Sequence, residues 1–275
     1  MRQLGPRDVG SILQAGGTML GSARAPEFAT DAGQEQGIAN LASMDIDSLI
    51  VVGGNGSQQG SLALSRRGFP VVGIASTIDN DLAGSDITLG VDTALNIALE
   101  ALDRIRTTAS SHSRVFLVEV MGRHCGYLGL MAGIAGGAEL VAIPELNLKP
   151  QDMLVGVRDV VAAKGHAVAV IAEGWADGAT GLATYLRENR EAIGGAKVRV
   201  TILGHVQRGG TPTYCDRMLG TRFGAEAVDA LAGDQSGVLV GLHGRLTGIS
   251  PLEEVVGQDK PLSPKLIELA RVLAR

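Results

Sequence analysis

The chain has 275 residues, 45% of them hydrophobic and only 3% aromatic, with 39 glycines and a formal net charge of −5. A core of Ala, Val, Leu and Ile in a chain of this length suits parallel sheets covered by helices, in one large or two modest domains. The acidic balance argues against nucleic acid as a partner, because phosphate backbones are held by basic faces.

Two cysteines, Cys125 and Cys215, give neither a disulfide framework nor metal-ligand spacing. No run approaches the ~18 uninterrupted apolar residues of a membrane span. The opening MRQLGPRDVG lacks the apolar stretch of a signal peptide. The expectation is a cytoplasmic protein with reduced thiols and no membrane partner.

Taken in chain order, the patterning predicts a helix at 33–43, a strand at 48–52, a helix at 57–67 and a strand at 70–74. The clearest helix is GVDTALNIALEALDRIRTTA, where Val91, Leu95, Ala98, Leu102 and Ile105 recur every three to four residues. After it come a strand at 114–120, a helix at 126–135, a strand at 139–143 and a helix at 150–164. A strand at 167–172, a helix at 182–192 and a strand at 198–203 follow. The series closes with a helix at 216–232, a strand at 237–242 and a helix at 262–274. Such alternation predicts an α/β fold with mostly parallel sheets.

In sheets of this kind ligands gather beyond the carboxyl ends of the strands. Five predicted strand ends carry polar or glycine-rich sequence: GGNGS at 53, STIDND at 76, MGRHCG at 121, AEGW at 172 and GHVQRGG at 204. Any one of them is explained by ordinary turn chemistry. Five at the correct ends of alternate elements are not. In the first, glycines let a phosphate approach backbone N–H groups at a helix start. In the second, Asp79 and Asp81 are two residues apart, so one can accept a proton while the other addresses a metal. In the last, an arginine fork at Arg208 beside His205 suits a phosphate dianion.

GGTMLGSARAPEF, STIDND, SSHSRVFLVEVMGRHCGYLGLMAGIAGGAELVAIPE and ILGHVQRGGTP resemble the signature blocks of 6-phosphofructokinase, in the same order, from about residue 9 to about residue 240. The resemblance implies phosphoryl transfer from ATP to the 1-hydroxyl of fructose 6-phosphate with Mg2+, a glycolytic reaction. By that resemblance Asp79 is the general base, Thr77 positions the transferred group, and Arg24 and Arg123 steady its charge. Met121, Gly122 and Glu173 surround the sugar, and His205 and Arg208 take its 6-phosphate. Arg114 and Arg199 match arginines that reach in from a neighbouring subunit, which implies a homo-oligomer, a tetramer in the family. Gly54, Asn55, Gly56 and Ser57 match the nucleotide-phosphate turn, with Asn55 and Asp81 near the metal. Arg106 and Glu139 match part of an effector site.

The resemblance also implies two lobes with the site between them. Residues 1–90 with 206–257 form the nucleotide side; 91–205 with 258–275 form the sugar-phosphate side. Two departures stand out. The family opens with a strand and a Gly-rich loop ahead of the matched region, so the expectation is a truncated gene model or fragment. The first strand of the N-terminal lobe would then be missing and an apolar edge left unpaired. In addition, Asn55 stands where the family usually has Asp; an amide oxygen coordinates magnesium but brings no charge.

Small residues at Gly56 and Ser76, where pyrophosphate users tend to carry Asp and Lys, favour ATP. A pyrophosphate-dependent enzyme and a non-catalytic sugar-phosphate-binding, regulatory paralogue stay open, since both departures fall on the donor side.

Overall fold

The computed structural model describes residues 2–273, and its contacts divide the chain into two compact units. Unit 1 holds residues 1–92 and 211–260, and unit 2 holds 93–210 and 261–275. The crossings lie a few residues beyond the positions expected from the sequence. One cause is Gln207, whose side-chain oxygen accepts the Met121 N–H at 2.8 Å and so keeps the 204–208 turn within unit 2.

Unit 1 opens with α1 (Pro6–Val9) and α2 (Asp31–Ala42), then β1 (Leu49–Gly53), α3 (Asn55–Arg66) and β2 (Val71–Ala75). The chain returns to it with α8 (Tyr214–Ala232), β7 (Val238–His243), β8 (Leu246–Pro251) and α9 (Leu252–Val255). The sheet order is β1-β2-β7-β8, parallel except for the antiparallel β7–β8 pair. Every residue of central β2 is buried, as a strand covered on both faces requires. Phe223, Ala227 and Ala230 of α8 pack with Val72, Ile74 and Leu239 in its core. β1 is an edge strand, with Ile50 and Val52 exposed on it.

β8 is absent from the sequence expectation. Its segment LTGISP contains Gly and Pro and shows little alternation, so it reads as a loop until β7 pairs with it along six residues.

Unit 2 contains α4 (Val91–Ser111), whose first two residues belong to unit 1, then β3 (Arg114–Val120), α5 (Tyr127–Ala135) and β4 (Leu140–Ala142). After these come α6 (Pro150–Lys164), β5 (Ala167–Ala172), α7 (Gly178–Glu188), β6 (Lys197–Ile202) and α10 (Pro264–Leu273). The order β4-β5-β3-β6 is parallel throughout. Helix α6 begins where Pro150 occupies the first turn and Asp152 caps the Lys149 N–H at 2.8 Å; it stops at Gly165, at φ 77°. Helix α7 starts four residues before the expected 182. The Glu119 carboxylate, at the end of β3, accepts the Ala179 N–H at 2.8 Å and serves as its cap from afar.

Trp175, the single tryptophan of the chain, is buried in the unit 2 core and donates to the Leu148 carbonyl at 2.9 Å. Its emission therefore reports unit 2. The Ile171→Ala substitution, at a fully buried position in that core, is expected to cost about 2–5 kcal/mol. The check is a lowered urea midpoint in tryptophan fluorescence; an unchanged midpoint would contradict this packing.

Candidate active site

In unit 1 edge strand β1 and its neighbour β2 end side by side. Ser76 N donates to Gly53 O at 3.1 Å, extending the β1–β2 ladder by one bond before the chains part. From Gly53 the chain turns through Gly54 into α3, whose first turn carries no side-chain cap and no acidic residue. The N–H groups at that end are therefore available to an anion, with the helix dipole behind them. A Cβ at Gly53 would lie 2.3 Å from Ser57 Oγ, and one at Gly54 3.2 Å from Thr77 Cβ, so both positions need glycine or close to it. A Cβ at Gly56 would meet nothing within 4 Å. That open space lies on the same turn as the N–H groups.

The turn after β2 brings Thr77, Asp79 and Asp81 together. Thr77 Oγ1 accepts the Asp79 N–H at 3.2 Å and donates to Asp81 Oδ1 at 3.4 Å. Asn80, between the two carboxylates, is buried and left-handed at φ 52°, a conformation Asn tolerates. Asn55 joins this group, its Nδ2 donating to Asp81 O at 3.4 Å. Arg24 lies in an exposed irregular stretch, and among the described residues no hydrogen bond or ion pair ties it to this turn.

In unit 2 the ends of β3, β5 and β6 gather six of the expected residues. Glu173 N donates to Val120 O at 2.9 Å, and Leu203 N to Glu119 O at 3.0 Å, so the three turns leave the sheet together. They carry Met121, Gly122 and Arg123, then Glu173, then His205 and Arg208. Met121 is buried, whereas Arg123, His205 and Arg208 are exposed. Gly122 needs its lack of a side chain: it sits at φ 131°, and a Cβ would lie 2.5 Å from Cys125 O.

Arg114 and Arg199 are not at this end. Arg114 starts β3, roughly 20 Å of strand away from Met121, in a hollow of about 450 Å³ also lined by Arg190 and Lys197. Arg199 is exposed on edge strand β6. Arg106 and Glu139 do pair, at 3.5 Å, with Lys164 at 3.5 Å from the same oxygen and Val168 N donating to the other at 2.9 Å.

Neither cysteine is in a disulfide, and the Cys215 thiol is pushed up by the Asp92 carboxylate first, then by burial and Asp216. This is the opposite of what a nucleophilic thiolate needs.

Sequence reasoning missed three residues that hold these turns. Gln58, fully buried in α3, donates from Nε2 to Val51 O, Gly53 O and Ile74 O at 3.0–3.3 Å. Gln207, also buried, does the comparable work in unit 2. Gly174 lets two turns touch, since its N–H reaches Gly122 O at 3.2 Å and a Cβ would lie 1.9 Å from Arg123 O. None of these has a local signature, because each acts on another element or turn and not on its own. Gly174→Ala is accordingly expected to push its backbone away from Gly122 and Arg123 and to speed amide hydrogen exchange over residues 121–125 and 172–175. Unchanged exchange there would contradict the close approach.

Comparison with known proteins bears on the whole chain. The phosphofructokinase family model matches residues 1–231. ATP-dependent 6-phosphofructokinase 1 of Thermus thermophilus is 47% identical over 281 residues, covering 100% of this chain and 85% of that relative. Phosphofructokinase of Saccharomyces cerevisiae matches with a TM-score of 0.77 at 34% identity, over 98% of this chain and 39% of the yeast chain. A pyrophosphate-dependent phosphofructokinase of Nitrosospira multiformis, at 21% identity, shares the fold with a TM-score of 0.82 over 99% of this chain and 78% of its own. With the strand-end turns as described, the chain belongs to the phosphofructokinase family.

Proposed function

We propose that the chain transfers the terminal phosphoryl group of ATP to the 1-hydroxyl of fructose 6-phosphate, giving fructose 1,6-bisphosphate and ADP. The observation that carries this is the Thr77–Asp79–Asp81 turn beside the uncapped start of α3. A proton acceptor and a phosphate cradle on adjacent strand ends are what phosphoryl transfer needs, since positioning and electrostatics do most of its work. The curated relatives are named ATP-dependent 6-phosphofructokinases.

In this mechanism the backbone N–H groups of Gly54, Asn55, Gly56 and Ser57 hold donor phosphates. The open space at Gly56 admits a nucleotide, which favours ATP over pyrophosphate. Asp79 takes the proton of the 1-hydroxyl as its oxygen bonds to the γ-phosphorus and the bond to the bridging oxygen of ADP breaks. Thr77 orients the group in transfer, and Arg24 and Arg123 stabilise its charge. Met121, Gly122 and Glu173 hold the sugar, and His205 and Arg208 hold its 6-phosphate.

Arg114 and Arg199 sit away from that end of their own sheet, so we assign them to the site of a second copy of the chain. A homo-oligomer follows from this assignment. Among the described residues no helix is long and apolar enough to cross a membrane.

A magnesium ion fits the donor set in one form only. Among the described residues no three His, Cys, Asp or Glu side chains group as a metal site. Asp81 and the oxygen of Asn55 can hold an ion that takes its other ligands from phosphate and water. When bound, such an ion neutralises charge on the donor phosphates. Asn55 spends its N–H on Asp81 O; a carboxylate there would lose that donor, face the partial negative charge of the carbonyl oxygen, and gain more from the metal. The Asn55→Asp variant is expected to bind magnesium more tightly and turn over faster. A fall in both, in a magnesium titration of the rate, would refute this.

A coupled assay of fructose 6-phosphate with ATP or pyrophosphate tests the function. Turnover with ATP is expected, with Asp79→Asn lowering kcat by about 10²–10⁴-fold while sugar-phosphate affinity holds. Sugar-phosphate binding without turnover on either donor would favour a regulatory, non-catalytic protein.

A further inference from the structure

Lys260 is the last residue of unit 1 before the chain passes to unit 2 at Pro261, and it lies outside every motif considered so far. It is half-buried, and its ammonium points back into the segment that follows the Asp79–Asp81 turn. Its Nζ donates to Asn80 Oδ1 at 3.0 Å, to Ser85 O at 2.6 Å and to Asp86 O at 3.0 Å. An ammonium has three protons, and three acceptors surround this one. They come from residues 174–180 positions earlier in the chain.

What those acceptors do gives the contact its meaning. Asn80 is the left-handed residue that separates the candidate base from the candidate metal carboxylate. Its Oδ1 also accepts from Thr88 N at 3.1 Å, and its Nδ2 donates to Asp86 O at 3.1 Å. Thr88 Oγ1 in turn donates to Thr77 O at 2.5 Å. On the far side, Ser85 and Asp86 are pinned to β7 and the turn after it: Leu242 N donates to Ser85 Oγ at 2.9 Å, and Gly244 N to Asp86 Oδ2 at 2.6 Å. The ammonium therefore sits where the Thr77–Asp81 turn and the 84–88 segment meet, and it closes the loop between them.

We propose that Lys260 is a positioning residue for phosphoryl transfer, holding Asn80 and with it the spacing of Asp79 and Asp81. This rests on the phosphoryl-transfer function proposed above. Through these bonds the ammonium removes freedom from the turn that carries the candidate groups. A misplacement of about 1 Å in such a turn is enough to cost roughly 10²-fold in rate. The turns proposed to bind the sugar belong to unit 2.

The test compares the full-length protein with Lys260→Met and Lys260→Arg, by the coupled assay with ATP and by amide hydrogen exchange without ligands. Lys260→Met is expected to lower kcat by roughly 10–100-fold with KM for fructose 6-phosphate nearly unchanged. It should speed exchange over residues 77–88 while leaving β2 and unit 2 protected. Lys260→Arg, which keeps charge and donors, should recover most of the rate.

Unchanged kcat and unchanged loop exchange in Lys260→Met would overturn the proposal. So would faster exchange throughout unit 1 with kcat per folded molecule retained, because Lys260 would then brace the fold alone. If the wild-type chain itself shows no turnover, the functional assignment fails, and the exchange measurement still decides whether Lys260 orders the turn.

Discussion

One carboxamide fixes where the candidate turns of unit 1 begin. Gln58 sits under the ends of β1 and β2 with its Nε2 shared among the carbonyls of Val51, Gly53 and Ile74. Buried strand-end carbonyls need donors, since unpaired buried polar groups are costly. Gly53 O takes the Ser76 N–H and Ala75 O the Leu89 N–H, and the Gln58 amide adds a donor shared by both strands. It thereby ties the start of α3, the last residues of β1 and the last residues of β2 into one piece. The GGNGS turn and the STIDND turn leave that piece together, so Asn55 and Asp81 lie within reach of each other.

Unit 2 solves the same problem with different parts. Gln207 accepts from Met121 N instead of donating to carbonyls, and the ends of β3 and β5 are joined through Glu173 N and Val120 O. Glycine supplies what side chains cannot. At Gly122 and Gly174 two backbone turns come within hydrogen-bond distance, and any Cβ would separate them. The cations of this end, Arg123, His205 and Arg208, stay exposed where a dianion can reach them. Each unit thus presents a hydrogen-bonded frame at its strand ends with polar side chains on it.

Much of this was legible in the sequence, for physical reasons that differ by element. Buried parallel strands such as AVAVIA are continuous apolar runs, and a 21-residue helix such as α4 repeats its apolar face often enough to be unmistakable. The candidate turns stood out because polar residues at strand ends lack a core to explain them. What stayed hidden was long-range. The start of α7 depends on Glu119 from another element, and β8 exists because β7 is there to pair with. Gln58, Gln207 and Lys260 are ordinary polar residues in sequence and acquire roles only through other elements, 5 to 180 positions away. Arg114 and Arg199 were placed by resemblance, and nothing local in the fold brings them to the other site residues.

The central claim is that these turns move a phosphoryl group rather than merely bind sugar phosphate. Phosphorus NMR of the protein with fructose 6-phosphate, ATP and magnesium tests it most directly. The account predicts loss of the γ-phosphate signal, with matching growth of ADP and of a second phosphate monoester on the sugar. A 6-phosphate signal that broadens or shifts on binding while the γ-phosphate of ATP persists would contradict it.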